Sequence, residues 1–169
     1  MKPIVSIIMG STSDLPVMEK AAAFFEEMEI PFEMNALSAH RTPEKVELFA
    51  KQAQEKGIKV IIAGAGMAAH LPGVIAASTP LPVIGVPIKG ATLEGMDALL
   101  AIVQMPPGIP VATVAINGAL NAAILAGQIL ASADDNMMEK MITYKENLKG
   151  KIVQANEKLS TLEYKYMVL

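Results

Sequence analysis

The chain has 169 residues, a length that suits one domain with a substantial core. A net charge of −3 and a pI near 5.4 argue against nucleic-acid binding through a basic surface, and the lack of cysteine excludes disulfides and thiolate metal sites. The first predicted strand follows the amino terminus without the charged and apolar regions of a signal peptide, which favours a cytoplasmic protein.

Charged residues are scarce. They make up 18% of the chain, against about 25% in an average domain. No ionisable side chain lies between Asp97 and Asp134. Prolines and polar residues interrupt this stretch before about 18 apolar residues accumulate, so no membrane span is predicted. Burial in a tightly packed homo-oligomer is the remaining explanation.

Short apolar runs alternate with helical patterns along the chain. Strands are predicted at residues 4–9, 31–37, 59–63, 82–86 and 111–115. Helices are predicted at residues 15–29, 43–56, 71–77, 93–105, 117–131 and 134–159. The alternation predicts a parallel sheet with helices on both faces, a flavodoxin-like three-layer α/β sandwich forming a single domain over residues 1–169. The apolar tail, residues 155–169, is predicted to pack on a neighbouring subunit.

Small residues recur every fourth position in the helix after Asn117, at Ala119, Ala123, Gly127 and Ala131. Such a stripe lets another backbone approach closely. It is compatible with packing on the chain's own sheet, but the neighbouring charge-free sequence favours a helix–helix contact between subunits.

The segment that follows the second strand carries the most chemistry. His40 is one of two histidines and can carry a proton, Arg41 can bind an anion, and Ser38 and Thr42 supply hydroxyls. The carboxyl end of a strand is where open α/β sheets bind ligands. The alternative is a helix start in which Ser38 or Thr42 is the cap and His40 is merely exposed.

Two further loops follow the first and third strands. Residues 10–14 offer a glycine, three hydroxyls and Asp14 at a helix start, which suits a phosphate or ribose and also an ordinary N-cap at Ser13 or Asp14. Residues 63–73 are nearly all small, so their backbone amides are the predicted binding groups. His70 within them is either a ligand donor or a histidine bonded to nearby backbone. The three loops are predicted to converge on one pocket.

Together these segments resemble the bacterial N5-carboxyaminoimidazole ribonucleotide mutase family of purine biosynthesis. The motifs that carry the resemblance are residues 9–14, 38–43, 63–73, 82–87, 102–106 and 108–111. The resemblance implies a flavodoxin-like subunit, a homo-octamer, and neither a metal nor a bound cofactor. It implies an isomerisation in purine (IMP) biosynthesis, in which a carboxylate moves from the exocyclic amine to carbon 4 of the imidazole ring.

The resemblance also assigns roles to residues. It makes His40 the general acid and base, with Asp14 on the ribose hydroxyls and Arg41 on the phosphate. The other substrate-binding positions that it implies are Ser11, Ser13, Ser38, Gly64, Ala65, Gly66, Met67 and His70. Met67 and Leu120 depart from the family, since many relatives have glycine and lysine at these two positions.

Two rival functions remain open on the sequence. One is direct carboxylation of aminoimidazole ribonucleotide by carbon dioxide, on the same scaffold. The other is a non-catalytic nucleotide-binding module. A titrating residue such as His40 beside Arg41 argues against the second, because a binder needs no proton carrier.

Overall fold

The computed structural model describes residues 1–168 and contains a five-stranded parallel sheet in the order β2-β1-β3-β4-β5. This is the flavodoxin strand order, so the predicted fold class is confirmed. The strands are β1 (Val5–Met9), β2 (Phe32–Ala36), β3 (Val60–Gly66), β4 (Val83–Ile88) and β5 (Ala112–Thr113). The helices are α1 (Leu15–Glu27), α2 (Pro43–Gln52), α3 (Leu71–Ser78), α4 (Met96–Val103), α5 (Ala119–Ala131) and α6 (Asp135–Ser160).

The three central strands form the middle of the core. β1 and β4 are buried along their whole length, and β3 is buried up to its last residue. Helices on both faces exclude water from a strand in the middle of a parallel sheet, which explains the nearly continuous apolar sequence. The exception is Ser6 of β1, which is fully buried and donates to Glu33 Oε1 at 2.9 Å. Each fully buried isoleucine, such as Ile7, Ile62 or Ile84, contributes about 1.5–3 kcal/mol of burial free energy.

Among the strands, the largest boundary error concerns β3, which the sequence predicts to end at residue 63. The strand continues to Gly66, with Ala65 opposite Pro87 and Gly66 opposite Ile88. Runs of glycine and alanine are typical of loops, but residues 64–66 continue β3 and pair with β4. Part of the predicted glycine cradle is therefore rigid strand.

Four helices are shorter than predicted, and in each case the difference lies at a turn. α1 and α2 end before turns in which Glu29 and Gly57 adopt positive φ. α4 begins only after Gly95, whose φ is +90°, and α5 begins only after the turn at Asn117, whose φ is +58°. A Cβ at Gly95 would lie 2.8 Å from Ile116 Cγ2. Glycine is therefore required there both for its conformation and for space.

The chain forms two compact units, Met1–Leu130 and Ala131–Leu169. The first contains the sheet. The second consists mainly of α6, whose cap Asp134 accepts a hydrogen bond from the Met137 amide at 3.0 Å. The single-domain description of residues 1–169 stays a prediction. None of the helices within residues 1–168 is both long enough and apolar enough to cross a membrane.

The small-residue stripe of α5 was predicted to contact another subunit, and this prediction is wrong. Ala119, Ala122, Ala123 and Ala126 are fully buried within the chain itself. The short side chains serve close intramolecular packing, which was the alternative that the sequence left open.

Candidate active site

The loops after β1, β2 and β3 surround one cavity of about 330 Å³ at the carboxyl edge of the sheet. Because these strands are adjacent in the order β2-β1-β3, their following loops meet at the point where the strand order reverses. The lining residues are Gly10, Ser11, Ser13, Asp14, Ser38, Ala39, His40, Arg41, Ala65, Gly66, Met67, Ala68, His70 and Leu71. Every predicted site residue except Gly64 is among them.

The first loop is held by a capping box. The Ser13 amide donates to Ser11 Oγ at 3.3 Å, and the Ser11 amide donates to Asp14 Oδ2 at 3.2 Å. The Ser13 hydroxyl donates to the other oxygen of Asp14 at 3.4 Å. A cap is present as predicted, but it is Ser11 rather than Ser13 or Asp14, and Asp14 forms the other half of the box. The box fixes the Asp14 carboxylate at the cavity wall.

Asp14 is only 9% exposed, and this burial raises the pKa of its carboxyl group. Hydrogen bonds from Ser11, Ser13 and Gly10 oppose the shift but are weaker than the burial effect. A buried carboxylate with a raised pKa costs the folded state free energy at neutral pH, and such groups cluster at functional sites.

Asp14→Asn is expected to stabilise the protein at neutral pH and to weaken substrate binding. The folded state binds the Asp14 proton more tightly than the unfolded chain, whose aspartate pKa is about 3.9. The free energy of unfolding of the wild type therefore falls between the aspartate pKa of the unfolded chain and the higher pKa of Asp14 in the folded protein. The variant has no carboxyl group at this position, so its free energy of unfolding does not fall in this way.

Urea denaturation of both proteins at about pH 4 and about pH 7 measures the effect, because the stability gap in favour of the variant should widen with pH. A gap that stays constant between the two conditions would contradict the account of Asp14.

The second loop is tied together by its two hydroxyl residues. Thr42 Oγ1 accepts from the Ser38 amide and donates to the Ser38 carbonyl, both at 3.1 Å, while Ser38 Oγ accepts from the Arg41 amide at 3.2 Å. Thr42 precedes α2 and Pro43 begins it, but the threonine side chain does not cap the helix. The hydroxyls instead hold His40 and Arg41, both exposed, at the cavity.

The two histidines of the chain meet in the cavity. His40 Nε2 lies 2.8 Å from His70 Nδ1, with the rings inclined at 75° and their centroids 5.0 Å apart. One nitrogen must donate and the other accept, so this hydrogen bond holds a single proton between the rings. The alternative that His70 bonds only neighbouring backbone is wrong, because its side chain pairs with His40.

Gly64 lies behind the cavity rather than in its wall. A Cβ there would lie 2.5 Å from Met18 Sδ, and the Gly64 carbonyl accepts from the Gly10 amide at 3.2 Å. Gly64 therefore holds the first loop against β3. Its predicted contact with substrate stays a prediction.

The sequence analysis gave no individual role to three residues of the wall, namely Ala39, Ala68 and Leu71. Their side chains carry no reactive group and only form part of the cavity wall. Only their position could have identified them, since each lies next to a predicted site residue beyond the end of a strand.

Comparison with known proteins decides the family. The family model for AIR carboxylase matches residues 4–151. The chain belongs to the AIR carboxylase family. The family predicted from the sequence motifs is thereby confirmed.

Two relatives and one structure illustrate the family. The chain is 56% identical over 161 residues to the N5-carboxyaminoimidazole ribonucleotide mutase of Pyrococcus horikoshii, covering 95% of this chain and 91% of that protein. It is 52% identical over 163 residues to the phosphoribosylaminoimidazole carboxylase of Schizosaccharomyces pombe, covering 96% of this chain but only 30% of that protein. The crystal structure of Treponema denticola PurE2-S38D superposes with a TM-score of 0.85 at 30% identity, covering 94% of this chain and 99% of that one.

Proposed function

We propose that this AIR carboxylase family member is an N5-carboxyaminoimidazole ribonucleotide mutase, an isomerase of purine biosynthesis. The observation that carries the proposal is the hydrogen bond between His40 and His70 in a cavity that Arg41 and Asp14 also line. A proton carrier beside an anion-binding cation suits acid–base chemistry on a phosphorylated ribonucleotide. The Pyrococcus mutase matches this chain nearly end to end, whereas the Schizosaccharomyces carboxylase is a much longer protein. This favours the mutase over direct carboxylation.

His40 performs both proton transfers in the proposed reaction. As protonated imidazole it donates a proton to the exocyclic nitrogen while the bond between that nitrogen and the carboxylate carbon breaks and carbon dioxide is released. Carbon 4 of the ring then attacks carbon dioxide, forms the new carbon–carbon bond and loses its proton to His40. The histidine ends as it began, so the reaction consumes no proton and no electrons.

His70 is the partner that orients the His40 ring. The 2.8 Å hydrogen bond between His40 Nε2 and His70 Nδ1 fixes the position of the His40 ring. It also allows the shared proton to move to His70 Nδ1. Once His40 is protonated, both of its ring nitrogens are donors, so the N–H at Nε2 can turn from His70 Nδ1 to the substrate.

The remaining polar groups bind the rest of the substrate. Arg41 holds the phosphate through its guanidinium, with the hydroxyls of Ser38 and Ser13 beside it in the cavity wall. The Asp14 carboxylate accepts hydrogen bonds from the ribose hydroxyls, and Ser11 keeps that carboxylate in place.

The third loop supplies a water-poor wall for carbon dioxide. Ala65, Gly66 and Ala68 present backbone and methyl groups to the cavity. Carbon dioxide is small and apolar and is easily lost to water, so a wall without hydrated side chains favours its recapture.

A paired assay tests the proposed function. One sample contains N5-carboxyaminoimidazole ribonucleotide without bicarbonate, and the other contains aminoimidazole ribonucleotide with bicarbonate. The mutase forms the carbon-4 carboxylate rapidly in the first sample only. Turnover confined to the second sample would make the chain a direct carboxylase and overturn the proposal.

We also propose that copies of the chain associate through the exposed face of α4. Leu93, Met96, Leu100 and Val103 recur at helical spacing, and each is between 46% and 56% exposed. They lie in or beside the charge-free stretch of the sequence, and a contiguous apolar patch on a soluble chain marks an interaction surface.

Leu100→Glu is expected to reduce the mass of the oligomer in solution, because association through α4 would bury the new carboxylate without a partner. Light scattering coupled to size exclusion measures this mass. Leu48→Glu is the matched control, since Leu48 is similarly exposed at 55% but lies on α2. If both variants keep the wild-type mass, α4 is not the contact.

The octameric count, the packing of residues 155–169 on a neighbouring subunit and the cytoplasmic location stay predictions. In support of the tail prediction, Leu162, Tyr164, Tyr166 and Val168 are all exposed within the second unit. Leu169 lies outside the described residues.

A further inference from the structure

Met67 has an unusual backbone for its residue type. Its φ is +55°, in the left-handed region where a Cβ is unfavourable. Among residues 1–168, the other non-glycine residues with positive φ are Glu29, Glu94 and Asn117. Asn117 has a local reason, because its Oδ1 accepts from the Lys89 amide at 2.9 Å, and Glu94 forms an ion pair with Lys89.

The side chain of Met67 is not explained by packing. It is 70% exposed, so burial does not offset the cost of its conformation. It lines the same cavity as His40 and His70. It also leans towards the loop after β4, where its Cγ lies 3.6 Å from the position that a Cβ on Gly90 would occupy. A flexible thioether chain thus stands at the cavity edge, able to follow the shape of whatever binds.

We propose that Met67 is a retention residue of this enzyme, whose side chain covers the carbon dioxide formed in the cavity and slows its escape to water. The proposal rests on the proposed mutase function. After the bond from nitrogen to carboxylate breaks, carbon dioxide is held by no covalent bond, and only the walls keep it near carbon 4. Residues 65, 66 and 68 supply a wall of small groups, and Met67 adds a long, exposed apolar side chain, whereas Leu71 in the same wall is buried.

Isotope tracing tests this role. Substrate labelled with ¹³C in its carboxylate is converted at saturating concentration in unlabelled bicarbonate, and mass spectrometry measures the label retained in the product. Wild type should retain most of it. Met67→Gly and Met67→Ala should each lose about tenfold more label. Met67→Gly should also melt no lower than wild type, because glycine relieves the left-handed backbone.

A matched control separates the side chain from the backbone. Glu29→Gly relieves the same positive φ (+56°) at a residue that does not line the cavity, and it should retain label as wild type does. The proposal is overturned if Met67→Ala retains label like wild type, or if Met67→Gly changes the oligomeric mass, since Met67 would then serve a subunit contact. Failure of wild type to convert the substrate would instead refute the proposed function.

Discussion

Replacing His40 with asparagine is expected to lower kcat by about 10²- to 10⁴-fold, the usual contribution of a positioned general acid and base. Asparagine has a similar reach and can hydrogen-bond to His70, but its amide cannot donate or accept a proton as an acid or base at neutral pH. His40 is exposed and belongs to no core cluster, so the fold should survive. Steady-state kinetics measure the loss.

Two further measurements make this result specific to proton transfer. His40→Asn should bind 4-carboxyaminoimidazole ribonucleotide with nearly wild-type affinity in calorimetry, and its circular dichroism should be unchanged. Full activity in the variant would contradict the mechanism, because His40 is the residue that exchanges protons with the substrate.

Replacing Arg41 with alanine is expected to raise KM by roughly 10- to 100-fold with a much smaller change in kcat. Charge-assisted hydrogen bonds of this kind contribute about 1.5–3 kcal/mol each. The phosphate is remote from the reacting atoms, so its binding energy is shared by substrate and transition state and appears in KM. Initial-rate measurements across substrate concentration separate the two constants.

Lys45→Ala is the matched control for Arg41. Lys45 is an exposed cation in the first turn of α2, four residues further on, and it does not line the cavity. It should leave KM unchanged, whereas Arg41→Lys should recover only part of the loss, since lysine keeps the charge but not the planar fork. Equal effects of Arg41→Ala and Lys45→Ala would mean that the substrate senses only general positive charge.

The fold follows from the sequence because its strands and helices have different periods. Buried strands such as β4 are continuous apolar runs, and the helices between the strands repeat at helical spacing, so the α/β class was predictable. The flavodoxin-like strand order followed from that class. The end of β3 was not, because its residues 64–66 are small and their strand conformation depends on pairing with β4. Local sequence carries no information about such a partner.

The site was predictable in its membership but not in its contacts. Loops at the ends of adjacent parallel strands must converge, and this placed Asp14, His40 and His70 together before any geometry was known. The distance between the two imidazole rings depends on side-chain conformation across 30 residues of sequence. The contact made by the small residues of α5 was not predictable either, because such residues suit packing within the chain as well as packing between subunits.

The central claim is that the substrate binds against the His40–His70 pair. The chain has only these two histidines, so two ring C2–H signals in a proton NMR spectrum report on the site directly. Adding 4-carboxyaminoimidazole ribonucleotide should shift both signals along one saturable curve, and Arg41→Ala should move that curve to higher concentration. Turnover by a protein in which neither histidine signal moves would contradict the claim.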